Sequence, residues 1–195
     1  MRRERNFIGP AGMGGMVSLW GASSIIKSVQ SGYAALNTGS SATLTINSVI
    51  MENCMLVYRA FTTDYTGQHE YGQGRWTFTN ATTLTVNRPG ALGGTETLNR
   101  QYITVVEFIP SIIKSIQRGM ITTNYTVFGN TASINAVNRA RSFVGTLGVN
   151  SSVGADDVTQ TSIDFNNSDT QLTTSHLPNG NTGDSYLCYQ VVEFF

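Results

Sequence analysis

Charged residues are scarce in this sequence. Asp, Glu, Lys and Arg make up 12% of its 195 residues, about half the usual fraction, and 12 basic residues balance 12 acidic ones. A chain with no net positive charge lacks the electrostatic footprint of a nucleic-acid-binding protein, so we expect no nucleic-acid partner. Few charges and zero net charge also protect poorly against self-association. The composition therefore indicates a protein that works inside an assembly, as a homo-oligomer.

Cysteine and histidine are also rare. The chain has two cysteines, Cys54 and Cys188, and two histidines, His69 and His176. This set supports neither a disulfide scaffold nor a zinc site, so we predict two buried free thiols and a protein of a reducing compartment. The sequence contains no serine-hydrolase elbow, metalloprotease motif or phosphate-binding loop. We predict a protein that is not an enzyme and has no cofactor or metal.

Long hydrophobic runs are absent. No stretch approaches the roughly 18 apolar residues of a membrane-spanning helix, so no membrane span is expected. Glycine and proline interrupt residues 9–18, which removes the continuous apolar core of a secretory signal. We interpret residues 1–23 as a flexible N-terminal arm that anchors the protein to a neighbouring subunit. Its candidate anchoring residues are Arg2, Arg3, Arg5, Phe7, Met13, Met16 and Trp20.

Small polar residues and glycine are abundant: 25 threonines, 18 serines, 16 asparagines and 20 glycines. Together with a hydrophobic fraction of 40%, this composition excludes charge-driven disorder and long exposed helices. It favours a β protein.

A tandem repeat organises most of the chain. The segment Ile25-Ile26-Lys27-Ser28-Val29-Gln30-Ser31-Gly32 returns 87 residues later as Ile112-Ile113-Lys114-Ser115-Ile116-Gln117-Arg118-Gly119. Ile46-Asn47-Ser48-Val49 returns as Ile134-Asn135-Ala136-Val137, and the Val-Val-Glu-Phe ending at Phe108 returns ending at Phe194. The order and near-constant offset indicate duplication of a unit of about 87 residues.

Each unit reads as a series of strands separated by turn-forming residues. In the first unit we predict strands over 25–30, 42–49, 54–61, 75–80, 82–87 and 101–108, the third being buried on both faces. We therefore expect two tandem β-sandwich-like domains, at 24–109 and 110–195, with one merged sandwich of about 12 strands as the alternative. The short junction at 109–111 predicts that the two domains either pack in a fixed relation or donate strands to each other.

Two carboxylates occupy equivalent positions in the repeats. Glu107 and Glu193 each precede the closing Phe, and the only lysines, Lys27 and Lys114, share another repeat position. Duplication of both residue types predicts a structural role performed twice, with each lysine pairing with a glutamate.

Residues 59–78 are the segment in which the first unit differs most from the second. This segment combines aromatic and polar residues, a mixture that suits stacking on sugar rings or anchoring a protein interface. The alternative is that its aromatic residues belong partly to the core. The candidate interaction residues are Tyr65, His69, Tyr71, Arg75 and Trp76.

The opening motif I-K-S-[VI]-Q-x-G and the closing motif V-V-E-F resemble those of small tandem-β structural proteins of tailed bacteriophage particles. The resemblance is carried by residues 26–32, 113–119, 105–108 and 191–194. It implies a non-enzymatic virion component, in the tail, baseplate or fibre or as a head decoration, with other virion proteins as partners. Such a protein is assembled in the cytoplasm of the host bacterium. The alternative function is a module that binds host-surface glycans.

Overall fold

The computed structural model describes residues 25–37, 39–63, 73–88, 98–124, 129–151, 162–175 and 184–195. These residues form twelve strands, with single 3-10 turns at Met51–Asn53 and Arg139–Arg141. The first repeat contains β1 (Ile26–Ala35), β2 (Ser41–Thr45), β3 (Cys54–Thr63), β4 (Arg75–Asn80), β5 (Thr83–Asn87) and β6 (Asn99–Phe108). The second contains β7 (Ile113–Asn124), β8 (Thr131–Ser133), β9 (Ser142–Ser151), β10 (Ser162–Phe165), β11 (Gln171–Ser175) and β12 (Asp184–Phe194).

The strands form four three-stranded antiparallel sheets in two similar pairs. In the first repeat the strand orders are β1-β6-β3 and β2-β5-β4; in the second they are β7-β12-β9 and β8-β11-β10. The two repeats therefore share one topology. This confirms the predicted all-β fold of two tandem sandwich-like repeats.

The strand registers fix which residues are equivalent in the two repeats. Val29 faces Val106 across the β1–β6 pair, and Ile116 faces Val192 across the β7–β12 pair. Both pairs also shift register near the end of β6 or β12, next to the glutamate. A residue in one repeat can thus be matched with its counterpart through the backbone as well as through the sequence.

Each repeat has a core between its two sheets, built by the alternate apolar side chains of the strands. The first core includes Leu56, Trp76, Leu84, Val86 and Ile103, and the second includes Ile121, Leu172, Leu187 and Val191. A third cluster, containing Phe108, Ile113 and Val192, packs at the junction between the repeats. The Phe108 and Phe194 rings meet there edge to face, with centroids 5.9 Å apart.

One predicted feature of the strands was wrong. The apolar run 54–61 was expected to be buried on both faces, but Val57 and Arg59 are exposed. The reason is that successive side chains of β3 point to opposite faces of the sheet, and only the inward ones, such as Leu56, reach the core, whereas Val57 points to the outer face. A continuous apolar run does not distinguish a strand buried on both faces from one with an apolar outer face.

Candidate functional site

Each repeat contains one buried carboxylate at an equivalent position, Glu107 in the first and Glu193 in the second. Glu107 accepts hydrogen bonds from Lys27 Nζ at 2.8 Å, Ser28 Oγ at 3.0 Å and the Ile50 backbone N–H at 3.0 Å. It ties β6 to β1 and to the segment before β3. The Lys27 side chain is half exposed, whereas Glu107 is buried.

The second repeat copies this network. Glu193 accepts hydrogen bonds from Lys114 Nζ at 2.8 Å, Ser115 Oγ at 3.1 Å and the Asn138 backbone N–H at 2.9 Å. Burial acts to raise the pKa of each carboxyl, but the hydrogen bonds from the lysine, backbone and serine outweigh it and hold the pKa below its usual value. Both carboxylates therefore stay ionised and cross-link neighbouring strands through their hydrogen bonds.

The central contact between the repeats is made by a side-chain amide that forms hydrogen bonds with the backbone of an edge strand. Gln190 of β12 accepts from the Leu56 backbone N–H at 3.0 Å and donates to the Leu56 carbonyl. Leu56 lies on β3, an edge strand whose outward N–H and C=O have no strand partner. The amide thus satisfies the backbone groups that an exposed edge would leave open to another chain.

The two backbones also approach each other closely. Gly148 of β9 has a φ of +115°, and a Cβ at this position would lie 2.1 Å from the Gly74 carbonyl oxygen. Only glycine allows both this conformation and this approach. The contact places β9 of the second repeat directly against the start of β4 in the first.

Side chains of the second repeat complete the core of the first. Leu147 of β9 and Cys188 of β12 are buried with Leu56, Trp76 and other residues of the first core. They fill the open side of the first sandwich between its edge strands β3 and β4. Burial raises the pKa of the Cys188 thiol, although nearby Arg75 acts in the opposite direction.

A cavity of about 510 Å³ lies beside these contacts. Two arginines line it, one from each repeat. Arg118 donates to the carbonyls of Met51 and Cys54 and stacks over the Phe78 ring. Arg75 stacks over the Tyr186 ring in the opposite repeat. Both arginines therefore join the repeats as well as line the space between them.

Three buried nitrogen donors around the cavity have no hydrogen-bond partner among the described residues: Nε of Arg75, Nε of Arg118 and Nε1 of Trp76. The described residues that line the cavity include no Asp or Glu. Buried donors are normally satisfied, so this space suits ordered water or another source of acceptor oxygens.

Only part of the predicted site lies in the described residues. Arg75 and Trp76 are the first two residues of β4, and Trp76 is fully buried in the core. Tyr65, His69 and Tyr71 lie outside the described residues, as do the arm residues Arg2, Arg3, Arg5, Phe7, Met13, Met16 and Trp20. Within the part of the chain that the structure describes, no cluster of three or more His, Cys, Asp or Glu could hold a metal ion, and no helix could cross a membrane.

Sequence reasoning missed the residues that join the repeats: Gln190, Arg118, Leu147 and Gly148. A signal was present, because these positions break the repeat. Where the second repeat has Arg118 and Gln190, the first has Ser31 and Thr104. Differences between otherwise matching repeats mark the surfaces that each repeat uses differently.

Comparisons of this chain with protein-family models, with curated proteins and with solved structures gave no match.

Proposed function

We propose that this protein is a non-enzymatic structural component of a tailed-bacteriophage particle, assembled in the bacterial cytoplasm with other virion proteins. It associates through the outer faces of its β-sandwiches and through its N-terminal arm. Its position is in the tail, baseplate or fibre, or on the head as a decoration. The observation that carries the proposal is that the duplicated motifs form two structural hydrogen-bond networks, one in each sandwich.

The duplicated polar residues have a structural role, because they cross-link segments of each sandwich by hydrogen bonds. The opening motif supplies Lys27 and Ser28, the closing motif supplies Glu107, and together they link three segments of the sandwich. The second repeat uses Lys114, Ser115 and Glu193 in the same way. The motifs on which the resemblance rests therefore maintain a framework, as is expected of a scaffold protein.

Exposed apolar side chains support association with other proteins. Large hydrophobic residues stand on the outer surfaces of both repeats: Ile25, Val29, Tyr33, Ile50, Val57, Met120, Phe143 and Phe195. Three of them, Val29, Tyr33 and Val57, share the outer face of β1-β6-β3, and apolar side chains grouped on one sheet face are typical of interaction surfaces. Trp76, in contrast, is buried and presents no ring face to a sugar, which removes one of the five candidate residues of the glycan-binding alternative.

The test is gold-labelled antibody on purified particles from the source, viewed by electron microscopy. Label on the head makes the protein a decoration, and label on the tail or its tip makes it a tail, baseplate or fibre component. Particles without label would refute the proposal. A second arm of the experiment removes residues 1–23, which should leave the β-type circular dichroism unchanged and prevent incorporation into particles.

A further inference from the structure

The middle strand of the outer sheet face is buried in one repeat and only partly buried in the other. In the second repeat, the outward residues of the central strand, Cys188, Gln190 and Val192, are buried. Their counterparts in the first repeat are Tyr102, Thr104 and Val106, which are only partly buried. Around these three residues stand Val29, Tyr33 and Val57, with exposed fractions of 48%, 47% and 37%.

We name this surface the open face: the outer side of β1-β6-β3, with Val29, Tyr33, Val57, Tyr102 and Thr104 at its centre. On this face the Tyr33 and Tyr102 rings contact each other, with centroids 5.5 Å apart. Its counterpart in the second repeat, the outer side of β7-β12-β9, packs against the first repeat through Leu147, Cys188 and Gln190, while Met120 and Phe143 at its borders are about half exposed. The open face therefore has the geometry of a docking surface that is already used once within the chain.

What the covered face packs against has a counterpart in the second repeat that is only partly covered, where Val144 and Ile163 border a cavity with Val57 of β3. The covered face closes the side of the first sandwich between β3 and β4, where Leu56 and Trp76 are fully buried. The registers match these residues with Val144 on β9 and Ile163 on β10, which are only partly buried. We name this surface, between β9 and β10, the open edge.

We propose that copies of this chain bind each other head to tail, the open face of one copy covering the open edge of the next. The contact repeats between chains the packing that joins the two repeats within a chain. It rests on the assembly role proposed above and identifies the surfaces that perform it. A second copy is the occupant because only another copy carries both surfaces in matching form.

The substitutions between the two versions of the interface are complementary in charge. Within the chain, Leu147 and Thr77 line the same cavity between the repeats. The registers place Arg59 of the open face at the position of Leu147, and Asp164 of the open edge at that of Thr77. Both replacements are exposed, and an arginine would meet an aspartate across the new contact. Two uncharged residues that line the cavity within the chain are thus replaced by two opposite charges at the proposed contact between chains.

A head-to-tail contact uses two different surfaces, so each copy can bind two neighbours. Such heterologous contacts form a closed ring when the rotation between copies closes, and an open filament otherwise. The proposal therefore excludes an assembly that stops at a twofold dimer through one surface.

The experiment is a charge exchange in the full-length chain, with self-association measured by sedimentation over a concentration series. Arg59→Glu and Asp164→Arg should each weaken association by about tenfold or more. The double variant R59E/D164R should restore it, because the pair is re-formed with reversed signs. An equimolar mixture of the two single variants should also associate, since every contact between the two kinds of chain is then a matched pair.

The matched control is Asp169→Arg, which reverses an exposed charge in the turn before β11, and should leave association unchanged. A wild-type chain that stays monomeric up to about 1 mM overturns the proposal. So does normal association of both single variants, whether the copies then bind through residues 1–23 or another surface. Failure of the double variant to associate also overturns it. Because this test uses purified protein, its failure is distinct from a failure to find the protein on particles.

Discussion

The side-chain amide of Gln190 in the second repeat forms hydrogen bonds with both backbone groups of Leu56 in the first. It accepts from the Leu56 N–H and donates to the Leu56 C=O. Both residues are buried. A pair of hydrogen bonds between a side-chain amide and an edge strand thus takes the place of a missing neighbouring strand. The second repeat serves as an edge cover for the first.

Replacing Gln190 with leucine should destabilise the protein by about 2 kcal/mol, because it leaves a buried N–H and a buried C=O without partners. Urea unfolding measures the loss, and hydrogen exchange should show faster exchange of the Leu56 amide. The control is Gln30→Leu. Gln30 binds the backbone N–H and C=O of Asn47 in the same two-point manner but in an exposed position. Equal losses in the two variants would contradict a special role for the interface.

Replacing Gly148 with alanine should cost about 3 kcal/mol. The added methyl group would collide with the Gly74 carbonyl, and the positive φ adds strain of its own. Thermal or urea unfolding measures the effect. Gly129→Ala provides the comparison, because Gly129 also has a positive φ, +73°, but space for a Cβ. That variant should lose only about 1 kcal/mol of unfolding free energy. An equally small loss in the Gly148 variant would show that the backbones of the two repeats separate easily.

Stability should fall in acid through Glu107 and Glu193. Their pKa values are lowered in the folded protein, so the unfolded chain binds protons more readily. The stabilisation is complete above the unfolded pKa, about 4.3, and is lost as the pH falls through the folded pKa. Glu107→Gln or Glu193→Gln should cost about 2 kcal/mol at pH 7 and flatten the loss of stability below pH 4.3.

Urea unfolding at several pH values between 7 and 3 checks this dependence. Glu52→Gln removes an exposed carboxylate near the same segment and should leave the acid limb of the curve in place. If the two network variants kept the wild-type slope in acid, other groups would be responsible for it.

Both thiols should be unreactive in the native protein. Burial raises the pKa of Cys54 to about 12, with the Glu107 charge adding to the effect, and burial also raises that of Cys188. The reactive thiolate is therefore scarce at neutral pH, and access is blocked. A thiol-specific reagent should label neither residue without denaturant and both in guanidinium chloride. Rapid labelling of Cys188 alone would show that the repeats separate in solution.

The fold was largely predictable because it depends on local patterns. Alternating side chains, turn residues and the offset of 87 indicated strands that the structure has nearly in the predicted places, such as β4 at Arg75–Asn80. The recurrence of Lys27 and Glu107 as Lys114 and Glu193 likewise predicted two equivalent salt bridges, which the structure contains. Predicting these features requires only a comparison of residues at different positions along the sequence.

The interface was not predictable because it depends on how one repeat is placed on the other. Leu147 resembles any apolar strand residue, and its burial in the first core follows from the bulge beside Gly148 and the approach to Gly74. Trp76 was assigned to a candidate interaction segment, but the alternation of β4 points it inward. Sequence periodicity gives the face of a strand, and only the packed structure gives what covers that face.

The presence of Leu147 and Cys188 in the first core sets an order for folding during synthesis. When the ribosome has made residues 24–109, the first sandwich has all of its strands but lacks two of the side chains that close it. Those side chains are made later, Leu147 38 residues and Cys188 79 residues after residue 109. The first repeat therefore stays incompletely packed until Cys188 has been synthesised, and the two halves of this duplicated protein mature together rather than one after the other.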